Sequence, residues 1–175
     1  MDWLFGILFD VIFSRVVATR PVMSRQGNGL IAKSDWRSQV ISLGFGGRRV
    51  IVDPSQKFIR IAVRSFWFLR KYRTIGFDEV REICYGYNDW SIGWWTYQEM
   101  DLFTVSLLLN SGETVVLFRF FGEGDFVNNS WWPDFAYAGD YAMAALTRVD
   151  QSDNSHRFAD ILSSMIAVPI GNPPG

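Results

Sequence analysis

Residues 103–121 read FTVSLLLNSGETVVLFRFF, two apolar runs separated by a short polar turn. Phe103–Leu109 and Thr114–Phe121 are each long enough for a β-strand, and Gly112 between them can take the left-handed conformation that a tight turn requires. In the simplest register one face of this hairpin is apolar throughout: Phe103, Val105, Leu107, Val116, Phe118 and Phe120. The stretch therefore predicts a hairpin with one face buried in a core.

The other face of the hairpin is more apolar than a solvated face should be, because it carries Leu108, Val115 and Leu117. An apolar helix predicted for residues 1–20 is a suitable cover. The uninterrupted apolar part of that helix, Trp3 to Phe9, is too short to cross a bilayer, which needs about 20 residues. The helix is expected to pack on its own domain, on a second copy of the chain or on a membrane surface.

The chain before the hairpin also has the pattern of β-structure. Residues 21–35 are polar and glycine-rich and are predicted as a connector. Two strands are predicted on either side of a turn that Pro54 favours, at Arg48–Asp53 and Phe58–Arg64. A further strand is predicted at Ile83–Tyr87.

A helix is predicted near the C-terminus. Five apolar residues share one helical face: Phe158, Ile161, Leu162, Met165 and Ile166. Pro169 ends the helix, residues 169–175 are expected to be a loose tail, and residues 124–140 form an aromatic insertion before it.

This order of elements resembles the pleckstrin-homology-like (PH-like) barrel superfamily, and its bacterial branch in particular. The resemblance covers residues 45–121 and 152–167: a first hairpin over Arg48–Arg64, a basic strand ending at Phe77, a short turn over 78–80 and the glycine-turn hairpin before the helix. It implies a mainly β domain over residues 36–168, an antiparallel barrel or sandwich of six to seven strands capped by the C-terminal amphipathic helix, with the N-terminal helix as an addition. It implies fold and not function, because this fold hosts lipid, peptide and structural roles.

Composition restricts the chemistry. With 49% hydrophobic residues the chain can build a core, and a net charge of −1 indicates no bulk attraction to nucleic acid. One Cys and one His exclude an internal disulfide and a Cys-rich metal site, so no metal or cofactor is predicted. Ser155, His156 and Asp160 lie on one helix and cannot form a nucleophile–base–acid triad, and we predict no catalytic residues and no enzyme.

Two groups of residues are candidate contact surfaces. Large aromatic residues at the N-terminus and in two connections either fold back onto their own domain, insert into a membrane or are candidates for a protein interface: Trp3, Phe5, Phe9, Trp90, Trp94, Trp95, Trp131 and Trp132. Basic residues on or beside two neighbouring strands form either a solvated face or a contact with an anionic surface: Arg60, Arg64, Arg70, Lys71 and Arg73.

The sequence predicts a non-enzymatic binding or scaffold module that acts through protein–protein contacts or self-assembly. A homo-oligomer is expected, since the apolar helix and the Trp-rich loops exceed what one domain of this size can bury. Asp2 stands where a secretory signal carries positive charge, so a cytoplasmic location is predicted. The alternative is a peripheral membrane protein that binds anionic lipid through the N-terminal helix and the basic strands.

Overall fold

The computed structural model describes residues 21–35, 46–65, 69–90, 100–122 and 151–173. The helix predicted for residues 1–20 and the insertion at 124–140 lie outside the described residues.

Five antiparallel strands form the first sheet and follow one another in chain order. They are β1 (Pro21–Gln26), β2 (Gly29–Ser34), β3 (Gly46–Asp53), β4 (Phe58–Ser65) and β5 (Leu69–Gly76). One 3-10 turn, Phe77–Glu79, then leads into the second sheet.

The second sheet has the order β8-β7-β6-β9. Its strands are β6 (Val80–Trp90), β7 (Met100–Leu109), β8 (Thr114–Phe121) and β9 (Ile170–Gly171). β6, β7 and β8 are antiparallel, whereas β9 pairs parallel to β6. The helix α1, Ser152–Ile166, packs against all four strands of this sheet.

The inner faces of both sheets and the helix share one apolar core. The largest fully buried side chains come from each of these layers: Val50, Val52, Ile59, Ile75, Ile83, Val105, Leu107, Leu117, Phe118, Phe120, Phe158 and Leu162. The rings of Phe118 and Phe120 lie 5.9 and 5.8 Å from that of Phe158. The predicted association of the hairpin with the helix is therefore confirmed, with Phe103, Ile161 and Met165 only partly buried at its margin.

The prediction of a mainly β chain is confirmed, but the prediction of a barrel is not. Nine strands are present in the described residues, two more than the maximum expected, and the sheets are not closed. Within those residues, no hydrogen-bonded strand pair joins one sheet to the other. β5 exposes both of its faces from Leu69 to Thr74, so this end of the first sheet extends beyond the cover of the second.

The connector predicted at 21–35 is wrong, because this segment is the β1–β2 hairpin. Gln26 pairs with Gly29 around a turn in which Gly27 has φ of 59°. β2 buries Leu30 and Ala32 in the core, whereas β1 is an edge strand and is mostly exposed. An edge strand can be polar on both faces, which is why its composition resembles that of a loop.

The loose tail predicted at 169–175 is also wrong in its first part. β9 pairs with β6 at Ile83 and Cys84, and the amide of Ile83 donates to the carbonyl of Pro169 over 2.9 Å. Two residues of parallel pairing leave no periodicity in a sequence, so only the folded chain shows this strand.

A β-bulge corrects the register of the central hairpin. Phe103 and Val105 face Phe120 and Phe118 as predicted, but the register shifts after Val105, so that Leu107 faces Val115. The bulge brings Val115 and Leu117 into the core, although the simple alternation placed them outside. The apolar outer face that suggested self-association is therefore smaller than the sequence indicated.

Candidate functional site

The outer face of the first sheet, which points away from the core, concentrates positive charge. Residues opposite each other on neighbouring strands share a face. The pairings place five basic side chains on this outer face, which we call the cationic face: Lys33, Arg49, Arg60, Arg64 and Arg70.

Two pairs of like charges stand directly opposite each other on the cationic face. Lys33 faces Arg49 across β2 and β3, and Arg64 faces Arg70 across β4 and β5. Neighbouring strands lie about 4.8 Å apart, and like charges in this position destabilise a sheet. The repulsion within each pair destabilises the folded sheet, and a bound anion would reduce that repulsion.

Local contacts hold two of these guanidinium groups against the sheet. The guanidinium of Arg64 lies over Gly47, where an added Cβ would stand 3.5 Å from its Nη2 atom. Its Nε atom is buried and has no hydrogen-bond partner. The guanidinium carbon of Arg60 lies 4.9 Å from the centre of the Phe58 ring, in a cation–π contact.

Within the described strands, Asp53 is the one acidic residue on this face, and its carboxylate is already engaged. The carboxylates of Asp78 and Glu79 follow β5 and lie beside Gly76 at the end of the face. The Oδ1 atom of Asp53 accepts hydrogen bonds from the amides of Ser55 and Gln56, at 2.9 and 3.1 Å. This bonding closes the β3–β4 turn at the far end of the strands. The cationic face therefore keeps a local excess of positive charge although the whole chain carries −1.

Lys71 and Arg73, both predicted with the basic group, lie on the opposite face of β5. Arg73 donates two hydrogen bonds of 2.6 Å to Glu113 in the β7–β8 turn, and so connects the two sheets. The hydrogen bond from Arg73 lowers the pKa of Glu113, and the same bond raises the pKa of Arg73. The structure thus brings together three of the five predicted residues and separates two.

Lys33 and Arg49 belong to the cationic face but were missed by the sequence analysis. Lys33 lies in the segment predicted as a connector, and Arg49 lies next to Arg48, whose side chain points to the other side. The alternation of Leu30, Ala32 and Ser34 with exposed residues is the signal that could have placed Lys33.

Arg48 is a cation inside the structure. Its Nη2 atom donates to the carbonyl of Val116, next to the bulge of β8, and so connects the sheets through the core. Burial, and then the charge of Arg119, lower the pKa of Arg48 to about 10. The hydrogen bond to Val116 commits this partly buried side chain to packing between the sheets.

One row of directly opposed residues crosses the middle of the cationic face, and an exposed apolar or tyrosine side chain lies at each of its ends. The row runs across all five strands as Val22, Lys33, Arg49, Ala62 and Tyr72. Val22 is 44% exposed and Tyr72 is 59% exposed. The row is thus basic in the middle and apolar at both ends.

In the described part of the chain, the residues with catalytic potential are engaged in hydrogen bonds and ring contacts or are buried. Ser155 donates to the carbonyl of Ser152 and bonds to the hydroxyl of Tyr85 over 2.7 Å, while the ring of His156 stacks on that of Tyr85 at 4.4 Å. Cys84 is buried, and burial raises the pKa of its thiol, followed by the charge of Glu82. Among the described residues, no three His, Cys, Asp or Glu side chains lie close enough together to hold a metal ion.

The aromatic residues are the second predicted contact surface, and seven of the eight lie outside the described residues. Trp3, Phe5, Phe9, Trp94, Trp95, Trp131 and Trp132 lie outside the described residues. The main chain of Trp90 is the last position of β6 and pairs with Met100. In the described ranges, no helix is long and apolar enough to span a membrane.

Comparison with known proteins adds no relative. No protein-family model, no curated protein and no solved structure matches this chain.

Proposed function

We propose that this chain is a non-enzymatic binding module of PH-like architecture, and that its cationic face contacts a negatively charged surface on another protein. The PH-like part of the proposal rests on element order: antiparallel strands in two consecutive meanders, β1–β5 and β6–β8, are followed by one amphipathic helix. The binding part rests on one observation, the two like-charged pairs opposite each other on an open sheet face.

The charge arrangement supports a specific surface better than general solvation. A sheet that only needs to be soluble avoids like charges in directly opposed positions, since an acidic residue at either place would remove the repulsion. The exposed cations of the face, Lys33, Arg49, Arg60 and Arg70, lie on four different strands. A face this wide fits the surface of a macromolecule better than a small ligand, which needs a concave pocket.

Retention on a sulfonate cation exchanger at neutral pH tests the charge asymmetry. A chain of net charge −1 is retained only if positive charge is concentrated on one side. We expect wild-type protein to be retained and the triple variant Lys33→Gln, Arg49→Gln, Arg60→Gln to elute at clearly lower salt.

The matched control removes the same charge elsewhere. The control variant replaces three exposed cations that do not lie on the cationic face: Lys71→Gln, Arg81→Gln and Arg157→Gln. We expect this variant to elute much closer to wild type than the first one does. Equal losses in both variants, or no retention of wild type, would contradict the proposal.

A peripheral membrane protein is the second candidate, favoured by the exposed Val22 and Tyr72 at the two ends of the basic row. Cations next to apolar and tyrosine side chains are typical of contacts with an anionic bilayer surface. Co-sedimentation with phosphatidylcholine vesicles, with and without about 30 mol% phosphatidylserine, tests this candidate. Binding that needs phosphatidylserine and is lost in Tyr72→Ser would favour the membrane over a protein partner.

The predicted homo-oligomer involves residues outside the described part of the chain and stays a prediction. The cationic face does not support it, because two copies facing each other there would repel. Light scattering on the purified protein measures the oligomeric state.

A further inference from the structure

Among the described strands, β5 has one edge without a neighbour. It is the last strand of the first sheet, and among the described residues only β4 pairs with it. β5 has eight residues and contains no proline, and its residues from Leu69 to Thr74 are exposed. A free edge of this kind can accept a further strand from a partner.

The hydrogen bonds show which residues face the free edge. The amide of Phe77 donates to the carbonyl of Lys57, which lies opposite it when the β4–β5 register is continued. In an antiparallel pair, hydrogen-bonded and non-hydrogen-bonded positions alternate. Arg73 and Lys71 therefore bond to β4, whereas Arg70, Tyr72 and Thr74 direct their amides and carbonyls to the free edge.

The hydrogen bond of the Gly76 amide supports this assignment of β5 residues to the free edge. Gly76 is the next residue of the outward-facing set, and its amide donates to the Glu79 carboxylate over 2.7 Å instead of to β4. The outward-facing amides before it, at Arg70, Tyr72 and Thr74, have no such side chain within the described part of the chain.

Charge defines the chemistry of the strand that fits this edge. Three of the eight residues of β5 are basic, and Arg70 continues the row that starts at Gly47 and Arg64 on the cationic face. The same charges disfavour a second copy of β5, since an antiparallel pair of identical strands would place Lys71 opposite Arg73, or one of the three cations opposite its own copy. An acidic strand would relieve the repulsion between Arg64 and Arg70.

We propose that β5 binds an extended acidic segment of a partner protein, which adds to its free edge as a further antiparallel or parallel strand. The proposal rests on the proposed function and identifies the partner of the cationic face. Backbone hydrogen bonds to Arg70, Tyr72 and Thr74 provide the docking, and carboxylates beside Arg70 on the cationic face provide the selectivity.

The probe is a synthetic peptide as long as β5, eight residues, in which Glu and Val alternate and both ends are blocked. One control peptide carries N-methyl groups at alternate residues, which removes backbone donors and keeps the charge. A second control has Lys in place of Glu. We expect the first peptide to bind the full chain saturably and each control peptide to bind about tenfold more weakly.

Amide hydrogen exchange on the wild-type protein identifies the contact. We expect the amides of Arg70, Tyr72 and Thr74 to exchange about tenfold more slowly at a peptide concentration of about ten times Kd. Lys71 and Arg73 should change little, since β4 already protects them. Binding without this alternating protection would overturn the proposal and would leave the proposed function intact.

A pair of variants tests the same edge independently. Proline is tolerated on an edge strand where the lost amide pointed to solvent, so Tyr72→Pro should keep the fold and block docking. Tyr72→Ala removes the same side chain and keeps the amide. We expect Tyr72→Pro to bind the acidic peptide about tenfold more weakly than Tyr72→Ala.

The results separate the two proposals. Retention on the cation exchanger without peptide binding would overturn edge docking alone, whereas loss of retention would overturn the cationic face as a binding surface. Equal affinities of Tyr72→Pro and Tyr72→Ala for the acidic peptide would also overturn edge docking. If the protein binds anionic vesicles and does not bind the peptide, the cationic face is a membrane contact. Should Tyr72→Pro not fold, the exchange pattern of wild type decides the question.

Discussion

Replacing Leu162 with Ala tests how helix α1 packs into the core against the second sheet. Leu162 is fully buried in the core that it shares with Phe158, Phe118 and Phe120. The change removes three carbon atoms from an enclosed site, which costs about 0.8 kcal/mol for each buried methylene plus a term for the cavity. We expect the free energy of unfolding to fall by about 2–5 kcal/mol.

The neighbouring Ile161 supplies a control of the same size. Ile161→Ala also removes three carbon atoms, but Ile161 is only partly buried at the edge of the core. Solvent can fill the space left behind, so we expect a loss of about 1 kcal/mol. Urea unfolding followed by far-ultraviolet circular dichroism measures both, and an unchanged m-value shows that the midpoint shift reflects stability. A loss below about 1 kcal/mol in Leu162→Ala, or equal losses in the two variants, would refute this packing.

Two further predictions concern the contacts that hold the sheets and the C-terminal segment. The hydrogen bond from Arg73 lowers the pKa of Glu113, so the contribution of this pair is present above the ordinary pKa of 4.5 and is lost as pH falls through the lower folded value. Arg73→Gln should therefore lower the urea midpoint at pH 7 and leave it unchanged near pH 2, whereas an equal effect at both would show that charge is not the cause. Gly86→Ala should loosen β9, because the added Cβ would lie 2.9 Å from Cγ of Pro173, while Gly47→Ala meets only an ordinary contact of 3.5 Å. Amide exchange of the β6–β9 bonds measures this, and equal protection in both variants would contradict it.

The pattern of side chains was sufficient where one periodicity dominated. The helical spacing of Phe158, Leu162 and Ile166 predicted the buried face of α1, and the alternation in 103–121 predicted the central hairpin. Both are local signals, because the repeat of the backbone alone decides which side chains share a face.

Strands without such a signal were missed. β1 is an exposed edge strand with no regular alternation of buried apolar and exposed polar residues, and β9 is only two residues long. The bulge after Val105 is a further case, since one extra residue reverses the facing of Val115 and Leu117 while their composition stays the same.

In the candidate site, too, one part was predicted from the sequence and another part depended on the tertiary structure. The sequence by itself determined a mainly β chain with a C-terminal helix, a hairpin core and a cluster of basic residues near positions 60–73. Only the tertiary structure decided that Lys33 and Arg49 join this cluster while Lys71 and Arg73 leave it. The physical reason is that the alternation along its own strand decides which face of the sheet a side chain occupies. Its neighbours on that face depend on which strands pair and in which register. Pairing and register are selected by contacts between residues far apart in the chain.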